Sequence, residues 1–101
     1  IIFTYDEVYK AIYSLSTQKG LKKPPAGVIV KVDKSEDDEN QLNIFMQNET
    51  EWEGLRSVQY SRDFMAASLM LLCRGHGIPI PRAAKKSVVL GKSQVILRVE
   101  I

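Results

Sequence analysis

The chain is 101 residues long, 45% hydrophobic and 26% charged, with a net charge of +2 and one cysteine. That length suits a single domain over 1–101, that apolar content argues against disorder, and no run approaches the ~18 apolar residues of a transmembrane helix. The lone Cys73 excludes an internal disulfide framework and fits a reducing compartment. The charge is uneven: residues 1–53 carry six Lys/Arg and ten Asp/Glu, residues 54–101 eight and two. Such a split can guide self-association or present a basic face to an acidic partner, although two halves of one compact domain also neutralise each other.

The opening stretch, IIFTYDEVYK, has no basic leader and no small-residue cleavage site, so no signal peptide is expected. The expectation is a soluble, cytoplasmic protein with no membrane partner. Within TYDE, Thr4 stands three residues before Glu7, the spacing of a capping box, and Phe3 and Val8 occupy the flanking staple positions. The pattern predicts a helix over 5–19, with Tyr5, Val8, Tyr9, Ile12 and Leu15 as its apolar stripe. Gly20 ends it, and KKPPAG prevents its continuation.

Two strands follow, GVIVKVD and QLNIFMQ, joined by the polar loop KSEDDEN. Alternation in the first puts Val28, Val30 and Val32 on one face, with Ile29 and Lys31 on the other. Asp33, Ser35, Asp37 and Glu39 alternate as calcium ligands do, but the sixth position is Asp38 where such loops need Gly, and the twelfth is Ile44 where they need Glu. A solvated acidic hairpin loop is the better account.

A second helix is predicted over 51–74. Thr50 and Glu53 repeat the capping spacing; Trp52, Leu55 and Val58 alternate with Arg56, Gln59, Arg62 and Asp63; and from Phe64 to Cys73 the run is uncharged. Gly75 and Gly77 end it, and Pro79 blocks a restart. The C-terminus reads as a second hairpin, KSVVL and QVILRVEI around Gly91-Lys92-Ser93, with Val95, Leu97, Val99 and Ile101 alternating against Ile96, Arg98 and Glu100. The expected order is α-β-β-α-β-β. This is an α+β fold whose four-stranded, mostly antiparallel sheet carries both helices on one face. It has the form of two α-β-β units, with only the T-x-x-E boxes repeated in sequence.

Chemistry-bearing groups are sparse. Cys73 and His76 are three apart, but Cys73 falls in an apolar helix, His76 lies between two glycines, and no orienting group is evident. Only scattered groups such as these, with Arg62 and Asp63, could serve an enzyme. One Cys and one His cannot make a zinc site, and C-x-x-C is absent. The glycines of RGHGIPIP follow a helix and precede a strand, the wrong context for a phosphate loop. No catalytic, metal or cofactor site is therefore expected.

Arg74, Arg82, Lys85, Lys86 and Lys92, with Arg98, cluster in sequence and could contact a polyanion. Single-strand binders also place aromatics on that surface, and none occurs from Gly75 onward. Tyr5, Tyr9, Tyr13, Phe45, Trp52, Tyr60 and Phe64 are assigned to the core or helix faces. PRAAKK has the composition of the basic segment of double-stranded RNA-binding domains. There it opens a helix in an α-β-β-β-α order; neither feature is expected here, so no resemblance is drawn.

The expected function is a non-catalytic protein-interaction module. A helix apolar all round needs more cover than a small monomer supplies, so Met65, Leu69, Met70, Leu71 and Leu72 are the expected self-association surface of a homodimer. The alternative is a nucleic-acid-binding accessory protein using the basic C-terminal hairpin.

Overall fold

The Thr4 capping box forms as the sequence predicts. The Glu7 amide donates to Thr4 Oγ1 at 3.3 Å, and Glu7 Oε1 accepts from the Thr4 amide at 3.0 Å. In the computed structural model, which describes residues 1–48 and 55–100, the elements are β1 (Ile2–Thr4), α1 (Tyr5–Gln18), β2 (Val28–Lys34), β3 (Gln41–Gln47), β4 (Leu55–Ser61), α2 (Arg62–Gly75), β5 (Lys85–Gly91) and β6 (Gln94–Glu100). Two three-stranded antiparallel sheets result, ordered β1-β6-β5 and β2-β3-β4. The fold is α+β with two helices, but the single four-stranded sheet is replaced by these two.

The largest correction concerns residues 55–61. They form β4 rather than the first half of a helix, and α2 begins at Arg62 with Ser61 as its cap, accepting from the Phe64 amide at 3.0 Å. Leu55 and Val58 fit helical spacing, yet Arg56, Val58 and Tyr60 also alternate against Leu55, Ser57 and Gln59. The strand wins because that alternation pairs residue for residue with β3, from Gln41↔Ser61 to Gln47↔Leu55. The Thr50–Glu53 box lies outside the described residues. In β2 a register shift between Ile29 and Lys31 changes the alternation, so Ile29 and Val32 are buried while Val28 and Val30 are exposed. Gly27 leads into this strand at φ 146°, where a Cβ would stand 2.7 Å from the Gln47 carbonyl oxygen.

Among the described residues the order between Tyr5 and Gly75 is thus α-β-β-β-α, three strands and not two. Pro81-Arg82-Ala83-Ala84-Lys85-Lys86 still leads into β5 and opens no helix, so that difference from the RNA-binding domains stands.

A repeat does exist, and its unit is β-α-β-β. Both helices have 14 residues and start 57 positions apart, at Tyr5 and Arg62; β2 and β5 start at the same interval, at Val28 and Lys85. Each helix ends on the same device. Gly20 (φ 65°) and Gly77 (φ 72°) take the left-handed conformation; the Leu21 amide donates to Ser16 O at 2.9 Å, and the Ile78 amide to Cys73 O at 2.8 Å. The units exchange their leading strands: β1 of the first pairs with β6 of the second, and β4 of the second with β3 of the first. Even the register recurs, with Thr4 opposite Gln94 and Ser61 opposite Gln41.

One core joins everything. From the helices come Val8, Ala11, Ile12, Met65, Leu69 and Cys73; from the strands, Phe3, Ile29, Val32, Leu42, Ile44, Met46, Val88, Val95 and Leu97. Each large side chain buried here contributes about 1.5–3 kcal/mol, which explains why the inward positions of the two units match.

Candidate functional site

Cys73, Met65 and Leu69 are fully buried. Met65 and Leu69, expected at a self-association surface, are therefore core residues, and a lone chain already covers them. Burial pushes the Cys73 thiol above its ordinary value, and its neighbour His76 caps the C-terminus of α2, its amide donating to Leu72 O at 3.1 Å. Arg62 is a structural tie: it donates to Glu39 O at 2.7 Å from Nε and to Val88 O at 2.8 Å from Nη1.

Met70, Leu71 and Leu72 are half-buried. Met70 and Leu72 pack in part on the core, whereas Leu71 lies in a shallow groove beside Ser14, Gln18 and Arg74. Along α2, Asp63, Ala67, Met70 and Arg74 follow one another at four- and three-residue steps, flanked by Ala66 and Leu71; of these, Ala66 and Met70 also pack in part on the core. The equivalent positions of α1 are Asp6, Lys10, Tyr13 and Thr17, flanked by Tyr9 and Ser14. There Lys10 Nζ and Asp6 Oδ2 form an exposed ion pair at 3.3 Å. This face carries Asp6, Lys10 and an exposed Tyr13 on α1, and half-buried alanine, methionine and leucine side chains between Asp63 and Arg74 on α2.

The basic residues of the second hairpin are not brought together as one patch. Lys85 begins β5 and Lys92 lies in the turn beyond its far end, about 20 Å away at strand rise. Lys86 is half-buried and donates from Nζ to Arg82 O at 3.4 Å, and Arg98 Nε is held by Glu100 Oε1 at 2.7 Å. Arg74 and Arg82 are exposed, at the end of α2 and in the following loop.

A different cationic site does assemble. Lys22, Lys23 and Pro25, in the loop after α1, face Arg56, Ser57, Val58, Gln59 and Tyr60 of β4 across a cleft of about 680 Å³. Tyr9 donates from its hydroxyl to Pro25 O at 3.1 Å, which ties the loop to α1. Lys23 Nζ lies 5.4 Å from the Tyr13 ring centre, and Tyr60 stacks on Phe64 at 5.1 Å. Burial, and secondarily Tyr9, raises the Tyr60 hydroxyl above its ordinary value. KKPP is the sequence signal for this site, and its prolines also stop the helix. Among the described residues no group of three or more His, Cys, Asp or Glu could hold a metal ion, and no helix is long and apolar enough to cross a membrane. No family model matches the chain, and neither a curated protein nor a solved structure matches it.

Proposed function

We propose that this chain is a non-catalytic interaction module that pairs with a second copy of itself through the outward face of α2. The observation that carries the reading is the contrast with α1. Two helices with matching inward faces differ where they turn outward; there Ala67 and Leu71 lie off the core cluster, while Ala66 and Met70 also pack in part on it. Ala66, Ala67, Met70 and Leu71 replace Tyr9, Lys10, Tyr13 and Ser14. A face of this kind gains by excluding water against a like face.

The stripe is also self-complementary. Laid antiparallel about a two-fold axis between Ser68 and Leu69, two α2 helices bring Asp63 opposite Arg74 of the other copy. Ala67 then meets Met70, and Ala66 meets Leu71, small against large. Asp63 and Arg74 are about 16 Å apart along the helix, at opposite ends of the stripe, so both charge pairs recur by symmetry. A nucleic-acid reading has weaker support, because Lys92 stands at the far end of β5 from Lys85 and Lys86, and Arg98 is held by Glu100.

Sedimentation of the wild type should show a concentration-dependent dimer. Leu71→Glu should sediment as a folded monomer, while Lys10→Glu, on the outward face of α1 and outside the Leu71 groove, should dimerise as the wild type does. A wild type that stays monomeric at high micromolar concentration removes the proposal.

A further inference from the structure

We propose that the free edge of β4 docks an extended acidic segment of another protein, which adds to the β2-β3-β4 sheet as a fourth strand. The register decides which backbone groups are available. The Arg62 amide donates to Asn40 O at 2.8 Å and continues the β3–β4 ladder. Antiparallel ladders alternate, so Arg56, Val58 and Tyr60 spend their amides and carbonyls on β3, while those of Leu55, Ser57 and Gln59 point off the sheet. Among the described residues no strand lies beyond β4. Exposed edges are usually blunted by bulges, prolines or cover. The opposite edge strand, β2, has an irregular register between Ile29 and Lys31, whereas β4 keeps an unbroken one along its whole length.

The cleft beside this edge supplies the chemistry of the partner. Its described lining holds three cations, Lys22, Lys23 and Arg56, and no acid, over a floor of Pro25, Val58 and Tyr60. An added strand turns alternate side chains into that cleft. Acidic residues there meet the lysines and apolar ones the floor. The second unit again serves as a control: Lys22 and Lys23 correspond to Pro79 and Ile80, so the unit folds without cations at these two positions.

A peptide fits better than a nucleic-acid strand. Base stacking needs open ring faces, but Tyr60 is stacked on Phe64 and Tyr13 lies under Lys23. Unpaired strand amides and carbonyls are what a peptide backbone binds.

The test is fluorescence anisotropy with three labelled probes: an alternating Glu-Val peptide, an alternating Lys-Val peptide of equal length, and a thymidine oligonucleotide. The Glu-Val peptide should bind in a salt-sensitive way and the other two should not. Lys22→Glu with Lys23→Glu should weaken it by about tenfold or more. Ser57→Pro should abolish binding and leave circular dichroism unchanged, because the amide it removes points off the sheet. Leu71→Glu should bind as the wild type does, which separates this site from dimerisation. Absence of Glu-Val binding overturns the proposal. So do equal binding of the Lys-Val peptide, binding of the oligonucleotide alone, and full binding by a folded Ser57→Pro variant. Should Ser57→Pro fail to fold, unchanged affinity in the double lysine variant overturns it instead.

Discussion

Val8, Ala11, Ile12 and Ser16 of α1, and Met65, Ser68, Leu69 and Cys73 of α2, stand 57 residues apart and are buried in both helices. Lys10, Tyr13, Ser14 and Thr17 stand at the same interval from Ala67, Met70, Leu71 and Arg74, and these outward positions differ in character. One chain thus holds two versions of a single unit, each a control for the other. Positions that agree in volume and polarity serve the shared core. Positions that diverge have been released from it and are free to serve binding. The same comparison separates Lys22 and Lys23 in the loop after α1 from Pro79 and Ile80 in the loop after α2.

The sharpest break in this comparison would come from the core. Ile12→Ala and Leu69→Ala remove equivalent, fully buried side chains, and each should destabilise the fold by about 2–5 kcal/mol. Urea unfolding should give similar losses for the pair. A loss in only one of them would mean that the two units do not share the core equally.

A smaller and opposite effect is expected at Ser16. Its hydroxyl is buried without a hydrogen-bond partner, and its counterpart is Cys73. Ser16→Cys copies the second unit's solution and should raise stability by about 1 kcal/mol, since an unsatisfied buried hydroxyl costs about 1–3 kcal/mol. A lower thermal midpoint would show that the hydroxyl is satisfied after all.

The helix starts should differ in their response to acid. Thr4→Ala and Ser61→Ala should each cost about 1 kcal/mol at neutral pH. Glu7 belongs only to the first cap; its counterpart is Phe64. Hydrogen bonds from the Thr4 amide and hydroxyl hold the Glu7 carboxyl below its ordinary value. A depressed carboxyl adds stability that is present above its unfolded-state pKa and disappears as pH falls through the folded-state value. The penalty of Thr4→Ala should therefore shrink in acid and that of Ser61→Ala should not, as chemical denaturation at stepped pH would show.

The sequence announces α1 well because Thr4, Glu7, Gly20 and the two prolines punctuate it on both sides. It conceals β4, since Leu55 and Val58 satisfy the helical period while Arg56, Val58 and Tyr60 satisfy the strand period. Only pairing with β3 decides between them. Once Leu55–Ser61 is misplaced, the repeat disappears too. Its agreement lies in similar residues, Phe3 with Tyr60, Thr4 with Ser61, Ile12 with Leu69, and in scattered identities such as Asp6 with Asp63, Leu15 with Leu72, Gly20 with Gly77, Pro24 with Pro81, Ala26 with Ala83 and Val32 with Val89. The surplus apolar surface of the second helix was legible in composition. Which residues face outward was not, because Met65 and Leu69 differ from Met70 and Leu71 only in rotation about the helix axis. The Lys22–Tyr60 cleft was hidden for a different reason: its walls are more than thirty residues apart and meet only through the fold.

The central claim, that α2 pairs with itself in the antiparallel register, is tested most directly by charge exchange. Asp63→Arg places two arginines opposite each other in its own homodimer, and Arg74→Asp places two aspartates there. Each variant alone should sediment as a weaker dimer than the wild type or as a monomer. Mixed in equal amounts, the two should associate, since every rim pair then joins opposite charges. If the mixture associates no better than either variant alone while both remain folded, the α2 pairing is contradicted.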